Sequence, residues 1–230
     1  MRKLEEILSK PLFNDYEKVK ETVRIVQEIE NAKDRESIPD LYALLKRDHG
    51  YKADVLSALS GMGEEGVPKI IEFAEDEDSY CREVARFALG NIYKCKPYIE
   101  MKIIECLLKG TKDISYHVKK ASFFSLGKIN MAVKNVCADS YIIEYLKNIV
   151  DKEDEHLEIR NSAANALVNF KIIDSRFDLL EYQKGKEEGK ARGTAFTFEN
   201  YCDYLGKKEE MKNKDNTIFT LDEYLKGKKS

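Results

Sequence analysis

Apolar positions recur at helical spacing along most of the chain, and one fourteen-residue stretch sets the pattern for the rest. In Ser79 to Ile92, SYCREVARFALGNI, the residues Cys81, Val84, Ala85, Ala88, Leu89 and Ile92 fall on one side of a 3.6-residue helix, while charged residues occupy much of the remainder. The same signature returns three times. Registering the copies on Gly90 aligns Ser60, Gly90, Gly127 and Val168, spaced 30, 37 and 41 residues apart. One position earlier stand Leu59, Leu89, Leu126 and Leu167, and two earlier Ala58, Ala88, Ser125 and Ala166. Nine positions earlier the copies carry Tyr51, Cys81, Val118 and Ile159, and eight earlier the basic residues Lys52, Arg82, Lys119 and Arg160. Small residues dominate the shared stripe, which lets neighbouring helix axes approach closely. A unit of this length repeated in tandem predicts stacked helix pairs that bury a common core.

Each repeated helix is preceded by another. IPDLYALLK, VPKIIEFAE and KPYIEMKIIECLLK begin near Pro39, Pro68 and Pro97, and SYIIEYLKNIV places Ile142, Ile143, Leu146 and Ile149 on one side without a proline. Proline in a first helical turn forfeits no hydrogen bond and presets φ. Short charged links follow, in which Asp78, Asp113 and Asp154 are placed to favour a helix N-terminus. Gly61-Met-Gly-Glu-Glu-Gly66 lacks the lysine of a phosphate loop and reads as a turn between helices.

These copies, above all CREVARFALG and IRNSAANALV, resemble the HEAT repeat, in particular the short variety named after phycobilisome lyases, with units reading Val-Arg-x-x-Ala-x-x-Ala-Leu-Gly. The likeness covers residues 38 to 173. The copy at Ser60 lacks the Arg and Gly, and that at Val168 lacks the Gly. The resemblance implies an all-α, right-handed α-solenoid of stacked HEAT-like helix pairs with second helices lining its concave face; the change of pattern after residue 174 adds an atypical C-terminal extension.

Three segments follow. Residues 1–36 read as an N-terminal helical cap: residues 2 to 9 and 14 to 32 form two helices separated by Pro11, the second with Val19, Val23, Val26 and Ile29 at helical spacing. Residues 37–174 hold about four helix pairs. Residues 175–230 form the extension, in which the charged stretches KGKEEGKARG and LGKKEEMKNKDN read as linkers. Two near-copies, Phe196-Thr-Phe-Glu-Asn-Tyr201 and Phe219-Thr-Leu-Asp-Glu-Tyr224, read as capped helix starts, with Thr197 and Thr220 as N-caps and a Phe–Tyr staple in each. The sharper reading makes Phe196, Tyr201, Phe219 and Tyr224 docking residues that reach a partner or the chain's own groove.

Composition narrows the function. A net charge of −3, a pI near 5.8 and the absence of tryptophan argue against a generic nucleic-acid binder. No apolar run approaches the ~20 residues of a membrane span, and MRKLEEILSK lacks a signal peptide's apolar centre. Five cysteines, Cys81, Cys95, Cys106, Cys137 and Cys202, without a close CxxC pair suit a reducing compartment, and a cytoplasmic location is expected. The histidines His49, His117 and His156 all lie in links before second helices. HEAT-like hydroxylases hold iron with His-Glu dipeptides, which this chain lacks, so neither a metal nor another cofactor is expected. No nucleophile elbow or Cys-His setting appears, and no enzymatic activity is expected. The basic column reads as a structural ladder paired with carboxylates of neighbouring repeats.

Three positions before the registering glycine, where the resembled family carries a polar residue, stand Phe87 and Phe124. With Arg86, Phe123, Lys120 and Lys128 they make the candidate binding surface. The expected function is non-enzymatic recognition of a protein or peptide, as an adaptor, regulator or toxin-neutralising protein. Two alternatives rest on resemblance: nucleic-acid binding or base repair, as in HEAT-like alkylpurine DNA glycosylases, and a chromophore-lyase-like subunit.

Overall fold

The computed structural model describes residues 16–46, 51–92, 97–132, 140–170, 172, 177–192, 195–215 and 220–227. These form α-helices joined by turns, with two 3-10 turns at Arg35–Ser37 and Gly63–Glu65 and no strand among them. The expected helix over residues 2 to 9, Pro11, His49, Cys95, Cys137 and Phe219 lie outside the described residues.

The chain divides into two compact units, Met1–Cys137 and Ala138–Ser230. That division falls inside the 37–174 span that the sequence reads as one array.

In the first unit, α1 (Tyr16–Ala32) precedes three helix pairs: α2 (Ile38–Leu45) with α3 (Lys52–Gly61), α4 (Val67–Phe73) with α5 (Ser79–Leu89), and α6 (Pro97–Gly110) with α7 (Tyr116–Ala132). Within each pair the two helices pack together. The second helices also touch in chain order, α3 against α5 and α5 against α7, while α1 packs on α3 and α4 on α6. The expected stripe on α5 is buried at Cys81, Ala85, Ala88, Leu89 and Ile92 and half-buried at Val84. On α1, Val26 is fully buried while Val19 and Val23 are half-buried.

Close approach in this stack is set by small residues. A Cβ added at Gly90 would lie 2.5 Å from Ser125 Oγ, so the C-terminal end of α5 meets α7 only because both positions are small. Gly63 has φ +65, the left-handed region glycine tolerates, and opens the 3-10 turn where the sequence predicts a turn.

The helix starts follow from their caps. Asp78 Oδ1 accepts from the Tyr80 N–H at 2.9 Å to cap α5. Pro39 and Pro68 sit in the first turns of α2 and α4. Arg82 donates to both carboxylate oxygens of Asp113, at 2.8 and 2.9 Å, joining α5 to the link before α7 as the ladder reading expects. The Arg82 guanidinium holds the Asp113 carboxyl below its ordinary range. Lys52, the preceding member of the column, turns inward, 6% exposed, with Nζ 2.7 Å from Cys81 Sγ.

The second unit contains α8 (Ser140–Asp151) packed on α9 (Leu157–Asn169), then α10 (Leu179–Ala191), α11 (Phe198–Asp215) and α12 (Leu221–Gly227). The charged stretches read as linkers are helical instead, contained largely in α10 and α11. Ion pairs at i, i+4 spacing support them, Lys184–Glu188 on α10, Glu188 with the C-cap residue Arg192, and Asp203–Lys207 on α11. Gly185 is buried because the Phe196 ring lies against it: a Cβ there would sit 2.3 Å from the ring.

Candidate functional site

Phe87 on α5 and Phe124 on α7 occupy the same register position of successive second helices and meet edge-to-face, with ring centroids 5.7 Å apart and planes at 67°. Phe87 is 36% and Phe124 52% exposed. Edge-to-face contact fixes both rings without covering their outer faces. One turn past Phe87, the Asn91 side-chain Oδ1 accepts from Lys128 Nζ, and that ammonium stands 5.8 Å from the Phe124 ring centroid. The patch therefore joins an apolar step to a positive charge held in place by an amide and a ring face. Asn91 was not picked out from the sequence, although its i, i+4 relation to Phe87 places it on the same strip. Lys120 is exposed on the same helix as Phe124, with Nζ 5.9 Å from the Tyr116 ring. At the equivalent position on α3 stands Ser57, which donates to Glu30 Oε1 of α1.

Arg86 and Phe123 do not belong to this surface. Phe123 is fully buried and Arg86 only 1% exposed. One residue along a helix turns the side chain by about 100°, which carries the position before each exposed Phe toward the first-helix layer. There the Arg86 guanidinium donates to Cys106 O on α6 at 2.5 Å and, at 3.0 Å, to the carbonyl of Ala74, the C-cap residue of α4. Its charge is also 3.5 Å from Glu75 Oε1. Burial pushes the neighbouring Cys106 thiol up to about 11, against the lowering influence of Arg86.

Of the four tail residues read as docking positions, Phe219 lies outside the described residues and the other three are interior ones. Phe196, Tyr201 and Tyr224 are 6%, 0% and 3% exposed, packed with Phe177, Tyr182, Phe198 and Tyr204. Both capping boxes form: Asn200 N–H donates to Thr197 Oγ1 and Thr197 N–H to Asn200 Oδ1, and Thr220 and Glu223 make the same exchange. Phe196 meets Tyr201 at 6.2 Å as the staple predicts. The helices are tied down by buried phenols: Tyr201 and Tyr204 donate to Glu181, Tyr182 to Asp151 and Tyr224 to Asp203. Tail anchors that satisfy one another in this way are positioned by their own unit, which removes them from the docking set.

His117 is exposed and stands edge-on to Tyr116, while His156 Nδ1 accepts from the Glu158 N–H at 3.3 Å and caps α9. Among the described residues no group of three or more His, Cys, Asp or Glu is arranged to hold a metal, and no helix is long and apolar enough to cross a membrane.

No protein-family model matches the chain, and no curated protein matches it either. Among solved structures, a crystal structure of an engineered protein is similar at 19% identity over 98% of this chain and 94% of that one, with a TM-score of 0.47. A likeness at that level carries no argument about fold or activity.

Proposed function

We propose that the protein is a non-enzymatic recognition module built as a HEAT-like solenoid, binding a protein or peptide segment across the exposed strip of α5 and α7. The observation that carries this reading is the Phe87–Phe124 step, two large apolar side chains in contact with each other and open to solvent on adjacent helices. Rigid, partly open aromatics beside a fixed cation are the composition of binding hot spots. The bound segment presents an apolar anchor to the two rings and a carboxylate to Lys128 and Lys120. The chain-order contacts among α1, α3, α5 and α7 support the solenoid reading, since each second helix touches its successor. Buried thiols at Cys81 and Cys106 suit work in a reducing compartment, for which we propose the cytoplasm.

The test is affinity capture from the native host with wild type and a Phe87→Ala/Phe124→Ala double variant of equal helical content. One protein held by wild type, lost by the variant and rebound with purified components supports the reading. A partner that binds both forms alike refutes it for this surface.

A further inference from the structure

The second unit contains a cleft of about 790 Å³ lined by Glu153, Arg160, Gln183, Lys186, Glu187 and Phe196, together with Lys190 and Ala195. At its wall lies a guanidinium with an unusual setting. Arg160 occupies the same register position on α9 that Arg82 occupies on α5, and it is 4% exposed. Arg82 is neutralised by two hydrogen bonds to the Asp113 carboxylate. Arg160 instead meets neutral oxygens. Its Nε donates to Val150 O at 2.7 Å, and Nη1 and Nη2 both donate to the Gln183 carbonyl oxygen, the latter at 2.8 Å, in the amide orientation that satisfies both partners. Among the described residues no carboxylate pairs with it.

A buried guanidinium without a counter-ion keeps most of its desolvation cost, and its planar fork fits a bidentate oxyanion. Lys190 is exposed on the same wall, and Lys186 stands nearby, paired with Asp151 at 3.0 Å. Glu153 and Glu187 are exposed, where water screens their repulsion. Phe196 supplies an apolar wall. We infer that this cleft binds a small molecule bearing an oxyanion, phosphoryl or carboxylate, which displaces or shares Gln183 at the Arg160 guanidinium and takes a second contact from Lys190. The cleft volume exceeds that of a bare oxyanion and matches a metabolite-sized ligand. The assignment is independent of the aromatic strip on the first unit.

The test is a ¹H–¹⁵N NMR titration of the full chain with inorganic phosphate and, separately, acetate, at constant ionic strength against chloride. Saturable shifts at Arg160 Nε–H and at the amides of Gln183 and Lys190 are expected with at least one probe, and the probe that saturates identifies the oxyanion. Lys190→Ala, on an exposed position, raises half-saturation by about two- to fivefold, the effect of one rim charge. Gln183→Glu supplies Arg160 with the carboxylate that Arg82 already has; it preserves the helices and weakens binding by more than about tenfold, because a charge-assisted pair already fills the fork. No saturable shift with either probe, or a Gln183→Glu chain that titrates like wild type, overturns the inference.

Discussion

Phe123 and Phe124 are neighbours in sequence and opposites in burial, 0% and 52% exposed, so truncating each in turn measures which side of α7 faces the core. Phe123→Ala removes a fully buried ring and leaves a cavity, a change that costs about 3–5 kcal/mol. For Phe124 the calculation differs. A fully buried aromatic covers roughly 200 Å², so a ring half in water covers about 100 Å², and at about 25 cal/mol per Å² that is worth at most ~2.5 kcal/mol. Solvent fills the space it vacates, so no cavity cost is added, and the expected loss is about 1–2 kcal/mol. The assay is equilibrium urea unfolding followed by circular dichroism, comparing midpoints for the transition of the first unit at unchanged slope. Equal losses, or a larger loss at Phe124, would refute the assignment of Phe124 to the open face.

Gly185→Ala improves intrinsic helix propensity by about 1 kcal/mol, yet it is expected to destabilise the second unit by about 1–3 kcal/mol, because the added methyl meets the Phe196 ring; a raised thermal midpoint would contradict this. Alkaline titration is expected to unfold the second unit first. Burial, with Asp151, Glu181 and Asp203 as hydrogen-bond acceptors, raises the Tyr182, Tyr201 and Tyr224 phenols above their ordinary 10.0. Below that pH both folded and unfolded chains keep these protons and stability is unaffected. Above it the unfolded chain loses them while the folded chain does not, so stability falls by about 1.4 kcal/mol per pH unit for each tyrosine. Phenolate absorbance should therefore rise cooperatively with loss of helical circular dichroism, and gradual ionisation in an intact helix bundle would contradict the burial of the three hydroxyls.

The local signals in the sequence translate directly into structure. A capping box needs only four consecutive residues, and those at Thr197 and Thr220 form as written. The small residues at Gly90 and Ser125, two positions apart in the repeat register, mark a close helix contact of the kind the shared small-residue stripe suggests. What failed depended on distant partners. A single apolar stripe treats the position before each Phe as lying off the core, but α5 packs against helices on several sides, so its buried arc is wider than one stripe. Arg86 looked like a surface cation because nothing near it in sequence announces the carbonyls of Ala74 and Cys106 that receive it. The glycines of KGKEEGKARG resembled those of a linker because the ring that requires Gly185 to be small arrives eleven residues later. Gln183 gave no signal at all, since its importance rests on being neutral where the Arg82 counterpart meets an acid.

Site-specific photo-crosslinking tests the recognition surface most directly. A benzoylphenylalanine is placed at position 124 in one form of the protein and at position 98 in another, where Tyr98 is 57% exposed on α6 of the first-helix layer. Irradiation in native-host extract is predicted to attach one protein through position 124 and not through position 98. The account is contradicted if position 124 yields no adduct, or if both positions yield the same adducts.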